Sequence, residues 1–267
     1  MLFTRRDLDA VIVEAELPDL LRWGDRVLTA GWNLHLDKPP GRSLEAFAAL
    51  QVKAQQANRV FQQGYMYRYH PALRFCFEAA DKGWLGRIHT IHGDIGKASN
   101  PERRLWLAQH YGGSMMLLGC HLMDVAIALM GTPAKVVAFR RNTFPERDGF
   151  CDNETAVLEY AGGFATIRSL LAKVEGDDRR QFVVLGENAT IEIMPLEPAR
   201  MRVAFLRPPA GFVRGYQEVK PPAVEGRYTE QLRDFAGMVR GRATTAQRFT
   251  AAHDRVVHDT LLRVYQG

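Results

Sequence analysis

Lys38 stands at a position where α/β proteins bind their ligands. It follows the predicted short strand 33–36 and lies in a turn that Pro39, Pro40 and Gly41 constrain. Ligands of parallel sheets bind beyond the carboxyl ends of the strands. A lysine there could hold a substrate oxygen and stabilise the negative charge that develops on it. A solvated lysine in a surface loop is the alternative interpretation of the same residue.

His121 and Asp124 lie in the most apolar part of the chain, residues 115–130. They are three residues apart and therefore share one face of a helix. An imidazole is the usual group for proton transfer near neutral pH, and Asp124 could orient it or bind a substrate hydroxyl. The alternative is a hydrogen-bonded histidine in a core, because apolar helices often carry satisfied polar residues.

Two other chemistries would use residues of the same helix. Cys120, next to His121, suggests a thiol nucleophile, but adjacent helical side chains point about 100° apart and do not face each other. A metal ion could be held by His121 and Asp124 together with His92 and Asp94 from a strand. His89 points to the face of that strand opposite His92, so the ligands form no dense cluster. We therefore expect no metal.

The sequence contains no G-x-G-x-x-G motif, which is the usual phosphate-binding turn of dinucleotide-binding domains. Gly112 and Gly113 precede the apolar helix and could let a phosphate approach the backbone. Tight packing of side chains against these glycines is the alternative. Trp106, a few residues earlier, could stack on a flat ring, whereas a place in the core is the commoner role of a tryptophan.

The elements that would hold these residues change pattern along the chain. The first 67 residues alternate strands and helices in the order β-α-β-α-β, which is typical of a doubly wound parallel sheet. The predicted segments are 8–13, 18–30, 33–36, 43–57 and 59–67.

The rest of the chain predicts a mostly antiparallel sheet with helices segregated from it, as in α+β proteins. Turn residues at 161–163 and 186–188 would join neighbouring strands as hairpins. The predicted strands are 87–95, 135–141, 154–160, 164–171, 181–185, 190–194 and 201–206. The predicted helices are 70–82, 115–130, 228–240 and 250–265.

Composition and charge limit the class of protein. The chain has 267 residues, 46% of them hydrophobic and 24% charged, which is ordinary for a globular protein. Its net charge of +5 comes with scattered basic pairs rather than one basic run, so we expect no nucleic-acid partner. The three cysteines are widely spaced and form no CxxC, which suits a reducing compartment.

The apolar segments of the chain indicate a cytoplasmic protein. The N-terminal segment has no long apolar stretch followed by a small-residue cleavage site, so we expect no signal peptide. The most apolar segment carries Asp124 near its middle, and a central aspartate is costly in a bilayer. We therefore expect a location in the cytoplasm and no membrane partner.

Four segments resemble, in the same order, the Gfo/Idh/MocA family, named after glucose-fructose oxidoreductase, inositol 2-dehydrogenase and a rhizopine-catabolism protein. Residues 9–13 resemble the fourth strand of its Rossmann domain, and residues 64–71 resemble the sixth. Residues 31–39 are similar to the family's aG-x-h-v-x-x-EKP segment, with aspartate in place of glutamate. Residues 112–124 resemble its GGG-x-x-x-D-x-G-x-H-x-x-D helix, with Leu117 in place of the first acid.

The resemblance implies hydride transfer between NAD or NADP and a hydroxyl or carbonyl carbon of a sugar or polyol. It implies that Lys38 is the lysine that contacts nicotinamide and substrate, and that His121 takes or gives the hydroxyl proton. The cofactor-binding residues that it implies are Lys38, Pro39 and Trp106. The substrate-binding residues that it implies are Asp124, Arg68 and Tyr67.

The resemblance also implies a fold class and a set of domains. The expected fold is α/β plus α+β, with a truncated Rossmann-like parallel sheet followed by an open, mostly antiparallel α/β domain. The expected domains are a partial Rossmann-like dinucleotide-binding domain at 1–67, an α+β substrate and oligomerisation domain at 68–245, and a C-terminal helix at 246–267 packing on the first. The second sheet is expected to pair subunits into a homodimer or homotetramer.

Two alternatives follow from the same segments. The first segment resembles the fourth Rossmann strand, and no segment resembles the first three strands, which carry the phosphate-binding turn of the family. We therefore expect NAD(P) binding to be weak or absent, and we expect the first sheet to expose a parallel edge. The chain would then be a non-catalytic relative or fragment that serves as an oligomerising or sugar-binding module. A start codon further upstream in the gene is the other alternative.

Overall fold

The chain folds as two units, which the computed structural model describes over residues 2–5, 7–223, 225–242 and 248–266. The first unit comprises Met1–Met66 and Gly226–Leu262, and the second comprises Tyr67–Glu225 and Arg263–Gly267. The division into functional domains after residues 67 and 245 stays a prediction.

A small parallel sheet forms the centre of the first unit. Its strands are β1 (Ala10–Val13), β2 (Asn33–Leu36) and β3 (Phe61–Gln63), in the spatial order β1-β2-β3. Helices α1 (Leu20–Thr29) and α2 (Leu44–Gln56) connect the strands. All four residues of β1 pair with β2, and β1 forms an edge of the described sheet. The structure confirms the predicted β-α-β-α-β order.

Local sequence explains why these elements form. All four residues of β2 are buried, as expected for a strand covered on both faces. Gly24 lets α1 lie close to its neighbours, because a Cβ there would be 3.0 Å from Leu50 and 3.2 Å from Leu34. Ser43 caps α2 as predicted, since its Oγ accepts a hydrogen bond from the Ala46 N–H at 3.1 Å.

An eight-stranded sheet dominates the second unit. Its strands are β4 (Ile88–Gly96), β5 (Lys135–Arg141), β6 (Asn153–Tyr160), β7 (Gly163–Leu170), β8 (Gln181–Gly186), β9 (Ala189–Ile193), β10 (Met201–Phe205) and β11 (Gly215–Val219). Their spatial order is β11-β10-β9-β8-β4-β7-β6-β5. β4 and β7 are parallel, and the other neighbouring pairs are antiparallel. The predicted fold class, with hairpins at β6–β7 and β8–β9, is confirmed.

Helices cover one face of this sheet. The helices of the second unit are α3 (Pro71–Asp81), α4 (Pro101–His110) and α5 (Cys120–Met130). α5 packs on β4 and β7. Gly93 in β4 permits this contact, because a Cβ there would be 3.1 Å from Leu122 of α5. Side chains of β4 that alternate with Gly93, such as His92, therefore face the other side of the sheet.

The face of the large sheet opposite α5 is open. Phe139 of β5 is 58% exposed and Phe164 of β7 is 53% exposed on this face. Its basic side chains are those of Lys135, Arg141, Arg168 and Arg202. Its acidic side chains are those of Asp94, Glu159, Glu192 and Glu218. We call this surface the open sheet face.

Two further helices follow the large sheet in the chain. They are α6 (Thr229–Val239) and α7 (Ala251–Gln266), close to the predicted spans. Within the first unit, the ring of His258 meets Phe47 of α2 edge-on, with centroids 5.2 Å apart. Phe235 of α6 meets His35 of β2 in the same way at 5.6 Å. Among the described helices, none has both the length and the apolar character needed to cross a membrane.

The sequence pattern does not predict α4 or β11. The spacing of apolar residues does not mark α4, but a capping residue does. The side chain of Asn100 accepts a hydrogen bond from the Arg103 N–H at 2.8 Å, and Pro101 follows it. β11 is a polar strand that pairs with β10 alone among the described strands. Backbone pairing, rather than a buried face, defines it.

Two other segments differ from their predicted form. β3 ends at Gln63 instead of at residue 67, because Met66–Tyr69 turns into a 3-10 helix. The stretch predicted as one helix from residue 115 begins with a π-helical turn, Met115–Gly119, and becomes α-helical at Cys120. π-helical turns are frequent next to functional sites, and this one directly precedes the helix that carries His121.

Candidate functional site

His121 lies in the first turn of α5, inside the second unit. Its side chain is buried, with 5% of the residue exposed. The ring of Tyr67 packs against the imidazole, with centroids 5.3 Å apart and planes tilted by 48°. Tyr67 comes from the 3-10 turn after β3, so a residue distant in sequence holds one side of the imidazole.

Arg68 and Asp124, both predicted in the substrate site, bind each other. The Nε of Arg68 donates to both carboxylate oxygens of Asp124, at 3.2 and 3.0 Å, and its Nη2 donates to Oδ1 at 2.7 Å. Two nitrogens of a planar guanidinium thus meet one carboxylate, which is the strong geometry for such a pair. The structure therefore brings Tyr67, Arg68, His121 and Asp124 into one cluster, and their roles toward a substrate stay predictions.

The hydroxyl of Tyr67 leads to a second charged pair that the sequence pattern does not reveal. It donates to Oε2 of Glu197 at 3.2 Å, and the Nη1 of Arg180 donates to the same oxygen at 3.0 Å. Next to Glu197, the carbonyl of Leu196 accepts a hydrogen bond from Nε2 of His70 at 2.8 Å. The only sequence signal for this contact is that two prolines flank the Leu-Glu pair.

Glu154 anchors the turn that leads into α5. It accepts hydrogen bonds from the Met115 N–H at 2.5 Å, from Arg140 Nε at 2.6 Å and from Ser114 Oγ at 3.2 Å. Burial raises the pKa of Glu154, and the hydrogen bonds from Met115 and Arg140 oppose that rise. Local sequence patterns do not reveal this carboxylate, because Glu154 lies in β6, far from α5 in sequence.

The predicted glycine pair packs against side chains of this chain. A Cβ on Gly113 would be 2.5 Å from both carboxylate oxygens of Glu154. Gly112 has a positive φ of 74°, and a Cβ there would collide with the ring of Tyr265. A carboxylate at this place would repel a phosphate. The packing interpretation of the glycines is therefore the one that fits, and the phosphate interpretation does not.

Trp106 makes its ring contacts with residues of its own helix and with Tyr111 directly after it. Its indole stacks on His110, with centroids 4.4 Å apart and planes 16° apart, and the guanidinium carbon of Arg103 lies 4.1 Å from the ring centroid. The three residues are neighbours along one face of α4. Trp106 is half-buried, and its predicted contact with a cofactor stays a prediction.

Lys38 lies in the first unit, two residues beyond the end of β2. Its turn is held by Gln63 of β3, whose Nε2 donates to the carbonyls of Leu36 at 3.2 Å and Asp37 at 2.8 Å. Lys38 is half-buried, and the peptide bond between it and Pro39 is cis. The turn therefore stands at the carboxyl end of a parallel strand, which is the place the sequence predicts for it.

The two alternative chemistries on α5 do not match the structure. Cys120 is fully buried, and its Sγ donates to the carbonyl of Leu117 at 3.8 Å, so its thiol is not placed as a nucleophile. His92 and Asp94 lie on the open sheet face, and Asp94 accepts from Lys173 Nζ at 2.6 Å. The sheet thus separates them from α5, and the interpretation of these residues as partners in one metal site is wrong.

A family model matches the part of the chain that holds this cluster. Residues 74–192 match the GFO/IDH/MocA C-terminal domain. The matched region contains α5 with His121 and Asp124, and β6 with Glu154. It begins within α3 and ends within β9.

Two curated relatives with sequence similarity are named as dehydrogenases, one of a polyol and one of a sugar. The chain is 26% identical over 165 residues to scyllo-inositol 2-dehydrogenase (NAD(+)) of Bacillus subtilis, covering 59% of this chain and 47% of that protein. It is 30% identical over 169 residues to D-xylose 1-dehydrogenase (NADP(+)) 2 of Haloferax volcanii, covering 60% of this chain and 49% of that protein. The chain spans about half the length of the curated relatives it matches.

Solved structures share the fold over almost the whole chain. Aldose-aldose oxidoreductase from Caulobacter crescentus, complexed with glycerol, matches with a TM-score of 0.82 at 22% identity, over 99% of this chain and 79% of that one. Levoglucosan dehydrogenase, in complex with NADH and L-sorbose, matches with a TM-score of 0.83 at 18% identity, over 99% of this chain and 79% of that one. At these identities the likeness shows the fold. By sequence and by fold the chain resembles the Gfo/Idh/MocA family, whose C-terminal domain matches residues 74–192.

Proposed function

We propose that the chain acts as an oxidoreductase that transfers hydride between a nicotinamide cofactor and a carbon of a sugar or polyol. The match of residues 74–192 to the GFO/IDH/MocA C-terminal domain supports this proposal. The names of the curated relatives support it too, since they are dehydrogenases of an inositol with NAD(+) and of xylose with NADP(+). When bound, NAD or NADP would accept or supply the hydride, and the residues of this chain would handle the substrate and its proton.

The proposal assigns the proton to His121. In the oxidation direction its imidazole would take the hydroxyl proton of the substrate, and in the reduction direction it would return it. The observation that carries this assignment is the surroundings of His121: a buried imidazole packed on Tyr67, on the helix that also carries the paired Asp124. Burial and ring packing limit the movement of the imidazole, which favours proton transfer.

Further roles are proposed for the other predicted residues. Lys38 would act as an electrostatic clamp on the substrate oxygen, and its anchored turn at the end of β2 suits this role. Asp124, Arg68 and Tyr67 would bind substrate hydroxyls, while Pro39 and Trp106 would contact the cofactor. The proposed cofactor contact is at the β2 turn, whereas the packed pair Gly112 and Gly113 does not fit its phosphates.

A second copy of this chain is the proposed partner of the open sheet face. This surface combines exposed rings, Phe139 and Phe164, with side chains of both charges. A surface of mixed charge can be self-complementary across a two-fold axis, as a homodimer requires. The proposed assembly is a homodimer or homotetramer. It would also suit the alternative function, in which the chain is a non-catalytic oligomerising or sugar-binding module.

An activity assay tests the proposal. The purified chain is incubated with NAD+ or NADP+ and a panel of sugars and polyols that includes inositols and xylose, and reduced nicotinamide is followed by absorbance. For any substrate that the chain turns over, we expect His121→Gln to lower the rate about 100-fold or more. His92→Gln, which alters a histidine on the open sheet face, is the matched control and should keep the wild-type rate.

The outcomes separate the two functions. Normal turnover by His121→Gln would remove His121 from the mechanism. Absence of turnover with both cofactors across the panel would favour the non-catalytic module. Calorimetric titration with NADH and NADPH tests the cofactor independently: micromolar affinity would contradict the expectation that binding is weak or absent, and would strengthen the case for an active enzyme.

A further inference from the structure

Glu197 is a carboxylate in the loop between β9 and β10, and it contacts a residue that surrounds His121. Its Oε2 accepts hydrogen bonds from the Tyr67 hydroxyl and from Arg180. The side chain of Glu197 is 25% exposed, and that of Arg180 is 7% exposed. The guanidinium balances the charge of the carboxylate and holds it in place, so that a charged acceptor faces a buried phenol.

Tyr67 is held at both of its ends. Its ring packs on the imidazole of His121 and meets the ring of His70 edge-on, with centroids 5.7 Å apart. Its hydroxyl is bound to Glu197. Because His70 also donates to the carbonyl of Leu196, two adjacent loop residues are tied to the turn that carries Tyr67. Movement of the loop would therefore move the ring that packs on His121.

We propose that Glu197 is a positioning residue that orients the His121 imidazole through Tyr67. The inference rests on the proposed function, in which His121 exchanges the substrate proton. Four residues before His121 the chain carries Leu117, an apolar side chain that cannot orient an imidazole by a hydrogen bond. The structure assigns the orienting carboxylate to the loop instead, acting through a tyrosine ring.

The chain offers a matched control for this arrangement. On the open sheet face, Glu192 also accepts from a tyrosine hydroxyl and an arginine: Tyr216 at 2.6 Å and Arg202 at 2.5 Å. This trio has the same chemistry as Tyr67, Glu197 and Arg180 but lies on the face of the sheet away from α5. A substitution of Glu192 therefore changes a Tyr–Glu–Arg contact without reaching His121.

Nuclear magnetic resonance of the imidazole side chains tests the contact without any need for activity. The His121 resonances are assigned by their absence from the spectrum of His121→Gln. We expect Glu197→Gln to shift them, because the Tyr67 ring loses its charged anchor and its ring current then acts from a different place. Glu192→Gln should leave them unchanged. Coincidence of the His121 resonances in Glu197→Gln and the wild type would overturn the proposal.

Kinetics test the consequence for the reaction. We expect Glu197→Gln to lower kcat about tenfold, the effect of losing one net hydrogen bond, while KM stays within about twofold because Glu197 acts through another residue. Tyr67→Phe combined with Glu197→Gln should be no slower than Tyr67→Phe alone, since both changes remove one interaction. Glu192→Gln should keep the wild-type kcat.

The two failures are distinguishable. A wild-type chain that shows no hydride transfer contradicts the proposed function, and the resonance comparison still decides whether Glu197 orients His121. An active chain in which Glu197→Gln keeps the wild-type kcat overturns the positioning role alone. Strictly additive effects of the two substitutions would overturn it as well.

Discussion

Arg68 and Asp124 form an ion pair that is almost completely buried: their side chains are 3% and 0% exposed, and the shortest N–O distance is 2.7 Å. The arginine comes from the turn after β3 and the aspartate from α5, so the pair ties the start of the second unit to its central helix. Removing one partner of such a pair leaves an uncompensated buried charge.

Asp124→Asn should therefore destabilise the protein strongly. We expect the free energy of unfolding by urea, followed by circular dichroism, to fall by about 3–5 kcal/mol. The exposed pair of Lys82 and Glu78 on α3 provides the control, because Glu78→Gln should cost at most about 1 kcal/mol. Equal effects of the two substitutions would show that the buried pair contributes no more than an exposed one.

Gly113 should tolerate no side chain. A Cβ at this position would be 2.5 Å from both carboxylate oxygens of Glu154, so Glu154 would have to leave the Met115 N–H. We expect Gly113→Ala to lower the free energy of unfolding by about 1–3 kcal/mol. Gly149→Ala is the control, since a Cβ there meets no atom within 4 Å. Identical stability of the two variants would contradict the observed packing.

His258 should make the stability depend on pH below neutrality. Burial lowers its pKa from 6.5 to about 4. The unfolded chain therefore binds a proton between these pH values that the folded chain does not, and the free energy of unfolding falls as pH drops from about 6.5 to about 4. The loss from this residue reaches about 3 kcal/mol. Burial also lowers the pKa of His35, which adds in the same direction.

Urea titrations at a series of pH values measure this dependence. His258→Leu should flatten the profile between about pH 4 and 6.5, since leucine does not titrate. Leu105→Ala, which changes an exposed side chain that does not titrate, should keep the wild-type slope. A His258→Leu profile as steep as that of the wild type would mean that other groups cause the loss of stability in acid.

The open sheet face should hold the subunits together. We expect sedimentation velocity to show a dimer or tetramer for the wild type and a monomer for Phe139→Asp, because a charge would replace an apolar ring at the interface. Leu105→Asp changes a residue of α4 that is 51% exposed and should leave the assembly intact. A monomeric wild type, or an unchanged assembly in Phe139→Asp, would contradict the proposed interface.

Periodic segments of the chain predict their elements well. Strand β2 and the Ser43 cap of α2 are found where the sequence pattern predicts them. In such segments the conformational preference of the residues and the burial of their side chains favour the same element. The pattern fails where local and tertiary requirements differ: β11 is defined by pairing with β10, and residues 115–119 adopt a π-helical turn in which Met115 packs on Gly119.

The residues of the candidate site also fall into two groups, those that the local sequence reveals and those that only folding brings together. The sequence alone singles out Lys38, His121 and Asp124, because their types and spacing are local properties of one turn and one helix. Only the tertiary structure decides what surrounds them: Tyr67 on the imidazole, Arg68 on the aspartate, Glu197 behind the tyrosine and Glu154 under the turn. These contacts join residues that are far apart in the chain. Sequence patterns do not reveal them, because burial and charge pairing depend on distances that only the folded backbone sets.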